Sequence, residues 1–142
     1  MQRDSWPLLA LSFASEKRLT PVQLQKTLFL VGQYVIDNEA NYYHFEPYHY
    51  GPFDARVYSD LDALTDRGLV RKIQSPSFRG FDYELTALGT KKAEAARRSL
   101  KAAQTLYLKR VVPWVLSLTF RQLVSSIYRT FPDMAVNSVF RY

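Results

Sequence analysis

Residues 20–23 (TPVQ) place the tightest constraint on the fold, because they carry the signature of a helix N-terminus. A threonine cap and a glutamine three residues later satisfy each other's backbone N–H groups, and proline suits the first helical position. Apolar side chains then recur at helical spacing: Leu24, Leu28, Val31 and Val35. This spacing predicts a helix to about Asp37. Phe29, Leu30 and Tyr34 widen its apolar stripe, so we expect burial on more than one side.

Two weaker segments flank this helix. Asp4 is a candidate N-cap for a short apolar helix over about residues 5–14, which has a proline in its first turn. Residues 42–50 are rich in aromatic side chains that alternate loosely with polar ones. Because Pro47 cannot donate to a strand ladder, we predict an extended segment that is an edge strand at best. The glycine and proline at 51–52 predict a break after it.

The middle of the chain has the pattern helix, strand, turn, strand. Asp54 is a candidate N-cap for a third helix, which has one apolar stripe and ends at Gly68. Residues 69–73 and 81–85 have the composition of strands, and the polar residues between them predict a turn. We therefore expect a β-hairpin directly after a helix, as in the wing of a winged helix.

The last third of the chain is predicted to be helical. Thr86 is a candidate cap for a helix to about Arg110, roughly 36 Å long, that stops before Pro113. Thr119 opens a further amphipathic helix, which the next proline ends, and residues 134–139 suggest a short helical turn.

The fold class that follows is mainly α with a small β-hairpin (α+β), with a winged-helix-like architecture. A chain of 142 residues is too short for two ordinary domains. We expect a single domain over 1–142, with a core over 1–112 and a C-terminal helical extension over 113–142.

The composition excludes several classes of protein. Without cysteine there is no disulfide scaffold, thiolate zinc site or cysteine nucleophile. No apolar run approaches the roughly 20 residues of a membrane span, and the N-terminus lacks the apolar region of a signal peptide. We therefore expect a cytoplasmic protein that does not associate with a membrane.

The residue patterns offer no catalytic set and no cofactor site. Nucleophile motifs and clustered phosphate-binding glycines are both missing. His44 and His49, five residues apart on an extended segment, face opposite sides, so a metal site with Glu46 is a minor alternative. We expect no enzyme activity, no cofactor and no metal.

The net charge of +6 is local, and its position bears on the partner. Residues 1–52 and 53–85 each carry −1, whereas residues 86–112 carry +6 and residues 113–142 carry +2. The helix in the recognition position, residues 54–67, carries −2, which opposes contact with phosphates. A DNA-binding regulator that uses Arg71, Lys72, Arg79 and the basic helix is therefore the second hypothesis, not the first.

The basic stretch and an aromatic segment are the candidate binding sites. On one continuous helix, Lys91, Arg98 and Lys109 would share a line, and this stretch is either a solvated face or a contact for an acidic partner or nucleic-acid backbone. The candidate contacts for such a partner are Lys91, Lys92, Arg97, Arg98 and Lys101. Aromatic residues beside prolines and glycine form either a docking groove or part of the core. The candidate partner-binding residues are Tyr48, His49, Tyr50, Phe53, Arg56 and Tyr58.

Three segments carry a resemblance to a known group of proteins: LQKTLFL (24–30), FEPYHYGPF (45–53) and VYSDL (57–61). They resemble the YwgA-like proteins and the group with the Panacea (SocA-type) antitoxin domain. The wing-to-helix junction at 83–89 and the tail at 114–139 are also similar. The resemblance implies a small prokaryotic or phage protein that binds other proteins, in the Panacea group a toxin encoded beside it. It implies no catalytic residue.

The favoured hypothesis is thus a non-enzymatic protein-interaction module, an antitoxin-like or phage-defence adaptor. Its expected partner is a protein such as a toxin or defence effector. A winged-helix transcriptional regulator that binds DNA is the alternative, and a homodimer is compatible with either hypothesis.

Overall fold

The computed structural model describes residues 1–37, 39–76 and 80–140. These residues form six α-helices, five short strands and two 3₁₀ turns. The helices are α1 (Ser5–Ser12), α2 (Pro21–Tyr34), α3 (Ala55–Asp66), α4 (Ala87–Arg97), α5 (Ala102–Ser117) and α6 (Phe120–Thr130). The strands are β1 (Arg18–Leu19), β2 (Glu46–Tyr48), β3 (Gly51–Phe53), β4 (Val70–Gln74) and β5 (Phe81–Leu85). The predicted class, mainly α with a small antiparallel sheet, is confirmed.

Two antiparallel sheets are present among the described residues. The larger has the order β1-β5-β4, with Tyr83 paired to Lys72 on one side and to Leu19 on the other. The predicted β4–β5 hairpin is confirmed, although Arg79 in its turn lies outside the described residues. The smaller sheet pairs β2 with β3. Sequence analysis missed β1, because a strand of two residues is too short to show an alternating pattern.

Helix α2 is the centre of the core. Its capping box is confirmed, since Gln23 N donates to Thr20 Oγ1 at 3.1 Å and Thr20 N donates to Gln23 Oε1 at 2.9 Å. All eight residues of 24–31 are buried, which confirms the prediction that the helix is covered on more than one side. It packs against α1, α5 and β3 and ends at Tyr34, before the predicted Asp37.

The long helix predicted to run from Thr86 to about Arg110 is wrong, because the chain breaks between α4 and α5. Lys101 has extended backbone angles, and its N–H donates to Gln104 Oε1 at 2.9 Å, which starts a new helix. Leu100 packs against the core at the break. The local sequence has no glycine or proline at this point and so did not predict the break. The break depends instead on the tertiary contact of Leu100 with the core.

The predicted helix end before Pro113 is also wrong, since Pro113 lies inside α5. A proline within a helix removes one backbone hydrogen bond and typically costs about 3 kcal/mol. Val111, Val112 and Val115 around it are buried in the core, and their packing offsets that cost. The predicted boundary between core and extension therefore falls within one helix. None of the described helices has both the length and the apolar character that crossing a membrane requires.

The two ends of the chain differ in detail from the predictions. Asp4 makes no side-chain cap for α1; its carboxylate lies 3.5 Å from Arg67 Nη1 instead. Helix α1 ends at Ser12, shorter than expected, because Lys17 takes a left-handed conformation and the chain turns into β1. The turn predicted for 134–139 is a 3₁₀ turn at Pro132–Ala135, followed by an irregular tail.

The junction between β5 and α4 yields a test of this fold. A methyl group on Gly89 would lie 1.9 Å from the carbonyl oxygen of Leu69, which accepts a hydrogen bond from Thr86 N at 3.1 Å. We expect Gly89→Ala to destabilise the protein by about 2 kcal/mol, despite alanine's better helix propensity, because backbone must move. Denaturant unfolding measures this change. Glu94→Ala on the same helix is the control, and equal stability of the two variants would contradict the packing described.

Candidate functional site

Four of the predicted aromatic residues, His49, Tyr48, Phe53 and Tyr58, form one series of ring contacts at the β2–β3 hairpin. The ring of Tyr48 stacks on His49 at 4.3 Å and 8°, and on Phe53 at 4.9 Å and 29°. Tyr58 from α3 meets Phe53 edge to face at 5.6 Å. Tyr48 and Tyr50 remain 49% and 45% exposed, whereas Phe53 and Tyr58 are half-buried. We call these five residues the hairpin surface.

The hairpin itself corrects the prediction of a chain break at Gly51-Pro52. Gly51 has φ +101°, which a glycine adopts readily, and it lies opposite Tyr48 across a two-residue loop. Pro47 lies opposite Pro52. In this register the two prolines form a non-hydrogen-bonded pair. The N–H groups that proline lacks therefore remove no hydrogen bond between the strands. Two prolines are therefore compatible with a hairpin.

The C-terminal tail lies along the same hairpin. Val139 N donates to the carbonyl oxygen of His49 at 3.0 Å, and Tyr128 OH donates to Ser138 Oγ at 2.7 Å. Phe120, at the start of α6, packs edge to face against Tyr50 at 5.4 Å. The tail and α6 thus contact the loop of the hairpin, and Tyr50 remains 45% exposed beside Phe120.

Arg56, a predicted partner contact, is engaged by Asp54. Its Nη2 lies 2.6 Å from Asp54 Oδ2, and the same carboxylate accepts a hydrogen bond from His44 N at 2.7 Å. Burial opposes ionisation of Asp54, but the hydrogen bonds from Arg56 and His44 outweigh it and lower the pKa of the carboxyl. Asp54 also accepts from Arg56 N, which confirms the predicted cap of α3.

The cations next to the acidic helix α3 are paired with carboxylates. Arg3 binds Asp60 through two hydrogen bonds of 2.8 and 3.0 Å, and Tyr43 OH donates to the same carboxylate at 2.6 Å. Arg71 Nη2 lies 2.7 Å from Glu84, and Lys72 Nζ lies 3.5 Å from Asp62. These are charges that a DNA-binding surface would direct at phosphates.

The predicted basic line does not form, because its members lie on two helices. Lys91 and Lys92 are exposed on α4, and Arg98 is exposed at its C-cap. Arg97 folds back instead: its Nη2 donates to the carbonyl oxygen of Ser12 at 2.9 Å, and its guanidinium lies 3.9 Å from the ring of Phe13. Lys101 Nζ pairs with Asp37 at 2.6 Å. Arg97 and Lys101 are thus engaged within the chain, whereas Lys91, Lys92 and Arg98 are exposed.

Lys26 is a feature that sequence analysis did not single out. It is buried in α2, 3% exposed, and among the described residues its ammonium donates to the carbonyl oxygen of Pro52 at 3.2 Å. Burial lowers the pKa of Lys26 to about 7. Little in the sequence signalled it, because Lys26 lies between the polar residues Gln25 and Thr27 in the LQKTLFL segment. It holds β3 against α2 beneath the hairpin surface.

The histidines take separate roles. His49 stacks on Tyr48, and the backbone N–H of His44 binds Asp54. Among the described residues, no group of three or more His, Asp or Glu side chains is arranged to hold a metal ion.

Comparison of the chain with protein-family models, curated proteins and solved structures finds no match. The resemblance to YwgA-like and Panacea proteins, like the winged-helix assignment, therefore stays a prediction. The function has to be inferred from the surfaces described above.

The buried lysine gives a pH-dependent prediction. The ordinary lysine pKa of 10.5 is lowered to about 7 in the folded protein, so the unfolded chain binds more protons between these values. Stability should therefore rise from pH 7 to pH 9, by at most about 1.4 kcal/mol per pH unit, and this lysine should add no further pH dependence below about pH 6, where both states are protonated. Lys26→Met should remove this rise.

Urea unfolding of both proteins at each pH measures the effect. Exposed Lys92 provides the control substitution Lys92→Met, which should keep the slope of the parent protein. A Lys26→Met variant with that same slope would contradict burial of a titrating lysine at this position.

Proposed function

We propose that the chain is a non-enzymatic protein-interaction module that binds a partner protein through the hairpin surface. The observation that carries this proposal is the series of ring contacts from His49 through Tyr48 and Phe53 to Tyr58, with Tyr48 and Tyr50 half exposed. Tyrosine offers a large amphipathic contact area and is enriched at interfaces. Rings that are already ordered lose little conformational entropy on binding.

The rest of the hairpin supports the same use. Its turn is closed by Gly51, its base is bonded to α2 through Asp54, and its loop accepts a hydrogen bond from the tail at Val139. A partner therefore meets a rigid aromatic ridge and does not have to order a loop. With the resemblance to antitoxins, we assign the partner to the class of toxins or defence effectors and place the interaction in the cytoplasm.

Sequence-specific DNA binding is the second candidate function. It is favoured by the order of α3 and the β4–β5 hairpin and by exposed Lys91 and Lys92 on α4 and Arg98 at its C-cap. It is opposed by the carboxylates on α3 and by the pairing of Arg71 and Lys72. If Arg71 and Lys72 bound DNA phosphates instead, the carboxylates of α3 would lie near the DNA backbone.

Substitution of the exposed tyrosines tests the proposal. The full chain is first used to capture a partner protein from the source cells. The purified partner is then titrated with the parent protein and with the double variant Tyr48→Ser/Tyr50→Ser. We expect at least about tenfold weaker binding, because hot-spot aromatic residues dominate interface energy. Leu88→Ser is the matched control, since Leu88 is 57% exposed on α4, and it should bind like the parent protein.

Two results would count against this function. One is that no dominant partner is recovered, or that the double tyrosine variant binds the partner as tightly as the parent protein does. The other is sequence-selective binding of duplex DNA at physiological salt, which would favour the second candidate; weak, salt-labile DNA binding would not.

A further inference from the structure

We propose a second interaction surface, a cationic aromatic groove that binds an acidic amphipathic helix of a protein partner. The groove lies between the end of α2 and helices α5 and α6 and has a volume of about 460 Å³. Its apolar and aromatic lining includes Leu30, Tyr34, Tyr107, Trp114, Ile127 and Phe131. This proposal does not depend on the function assigned to the hairpin surface.

The lining suits the apolar side of a helix. Leu30 and Ile127 are buried and form an aliphatic floor, whereas Tyr34 and Trp114 are 56% and 41% exposed at the walls. The Tyr34 ring lies 5.6 Å from Tyr107. Helices that dock in grooves insert side chains at i, i+3 or i+4, and i+7 into such apolar clefts.

The charge around the groove selects an acidic partner. Between Glu94 and Asp133 the sequence has no acidic residue and seven basic ones. Arg110 lines the groove from α5, and Arg129 donates from α6 to Ser126, another lining residue, at 3.5 Å.

Neither groove arginine is neutralised within the part of the chain that the structure describes. No carboxylate there lies within ion-pairing distance of Arg110 or Arg129. The cations next to α3, by contrast, are paired with carboxylates. One unpaired arginine in the lining of an apolar cleft and another bonded to its residue Ser126 favour a ligand with acidic flanks.

Single-stranded nucleic acid fits these features less well. Its binding depends on several phosphate contacts and on flat aromatic faces that stack with successive bases. Here two arginines flank the groove, its floor is aliphatic, and the Tyr34 and Tyr107 rings are tilted by 43° to each other. The apolar floor needs buried aliphatic or aromatic side chains, which a protein helix supplies.

A designed peptide tests the groove directly. The probe is a 16-residue helix with Leu and Phe at i, i+4, i+7 and i+11 and Glu at the flanking positions. Trp114 reports binding, because it is 41% exposed whereas Trp6 is 5% exposed, so acrylamide quenching monitors chiefly Trp114. We expect the peptide to protect Trp114, with affinity that falls roughly tenfold or more from low to high salt.

Charge reversal locates the contact. Arg110→Glu and Arg129→Glu should each weaken peptide binding by about tenfold. Lys91→Glu, a reversal at an exposed residue of α4, is the matched control and should bind like the parent protein. Unfolding curves recorded on every variant separate lost binding from lost folding.

The proposal is overturned if the acidic peptide does not bind, or if a peptide with Lys in place of Glu binds as tightly. Binding of the peptide by both arginine variants as tightly as by the parent protein also overturns it, as does loss of binding in Tyr48→Ser/Tyr50→Ser, which would place the peptide on the hairpin. An oligothymidylate that protects Trp114 and displaces the peptide would assign the groove to nucleic acid.

Discussion

A buried side-chain amide links the central helix to the hairpin and to α3. Gln25 Nε2 donates to the carbonyl oxygen of Asp54 at 3.0 Å, and Asp54 N donates to Gln25 Oε1 at 3.1 Å. Loss of either bond would leave a buried polar group without a partner, which is more costly than the net gain from the bond itself. The carboxylate of Asp54 also binds Arg56 and His44 N, so one residue fixes the end of β3, the start of α3 and the chain before β2.

This link explains how α2 tolerates polar residues on faces that are buried. Gln25 and Lys26 both reach backbone carbonyls at the hairpin's second strand and its end. Their bonds place β3 on α2, so the exposed face of Tyr48 and Tyr50 depends on contacts made underneath them. Thr27 Oγ1 is buried without a described partner, and the apolar packing of α2 has to offset it.

The parts of the fold that a local hydrogen bond determines could be predicted from the sequence. The caps at Thr20, Asp54, Thr86 and Thr119 are signalled within three residues, and each is present. The break at Lys101 and the continuation of α5 through Pro113 depend on packing against distant residues, which spacing along the chain does not show. The aromatic residues of the hairpin surface were candidate contacts in the sequence. Their stacking depends on the β2–β3 register, which the two prolines do not disrupt. The groove between α2, α5 and α6 joins segments far apart in sequence and had no local signal.

The distribution of charge separates the two proposed surfaces. Cations next to α3 and the larger sheet are paired with carboxylates, whereas Arg110 and Arg129 border an apolar cleft. Helix α6 contacts both surfaces, since Phe120 packs on Tyr50 and Thr130 lines the groove. Ten residues of helix span about 15 Å. Two weak contacts joined in one chain bind far more tightly than either alone, provided that the geometry lets both engage at once. If both proposed surfaces bind one protein, that protein needs an apolar patch for the hairpin surface and an acidic helix for the groove.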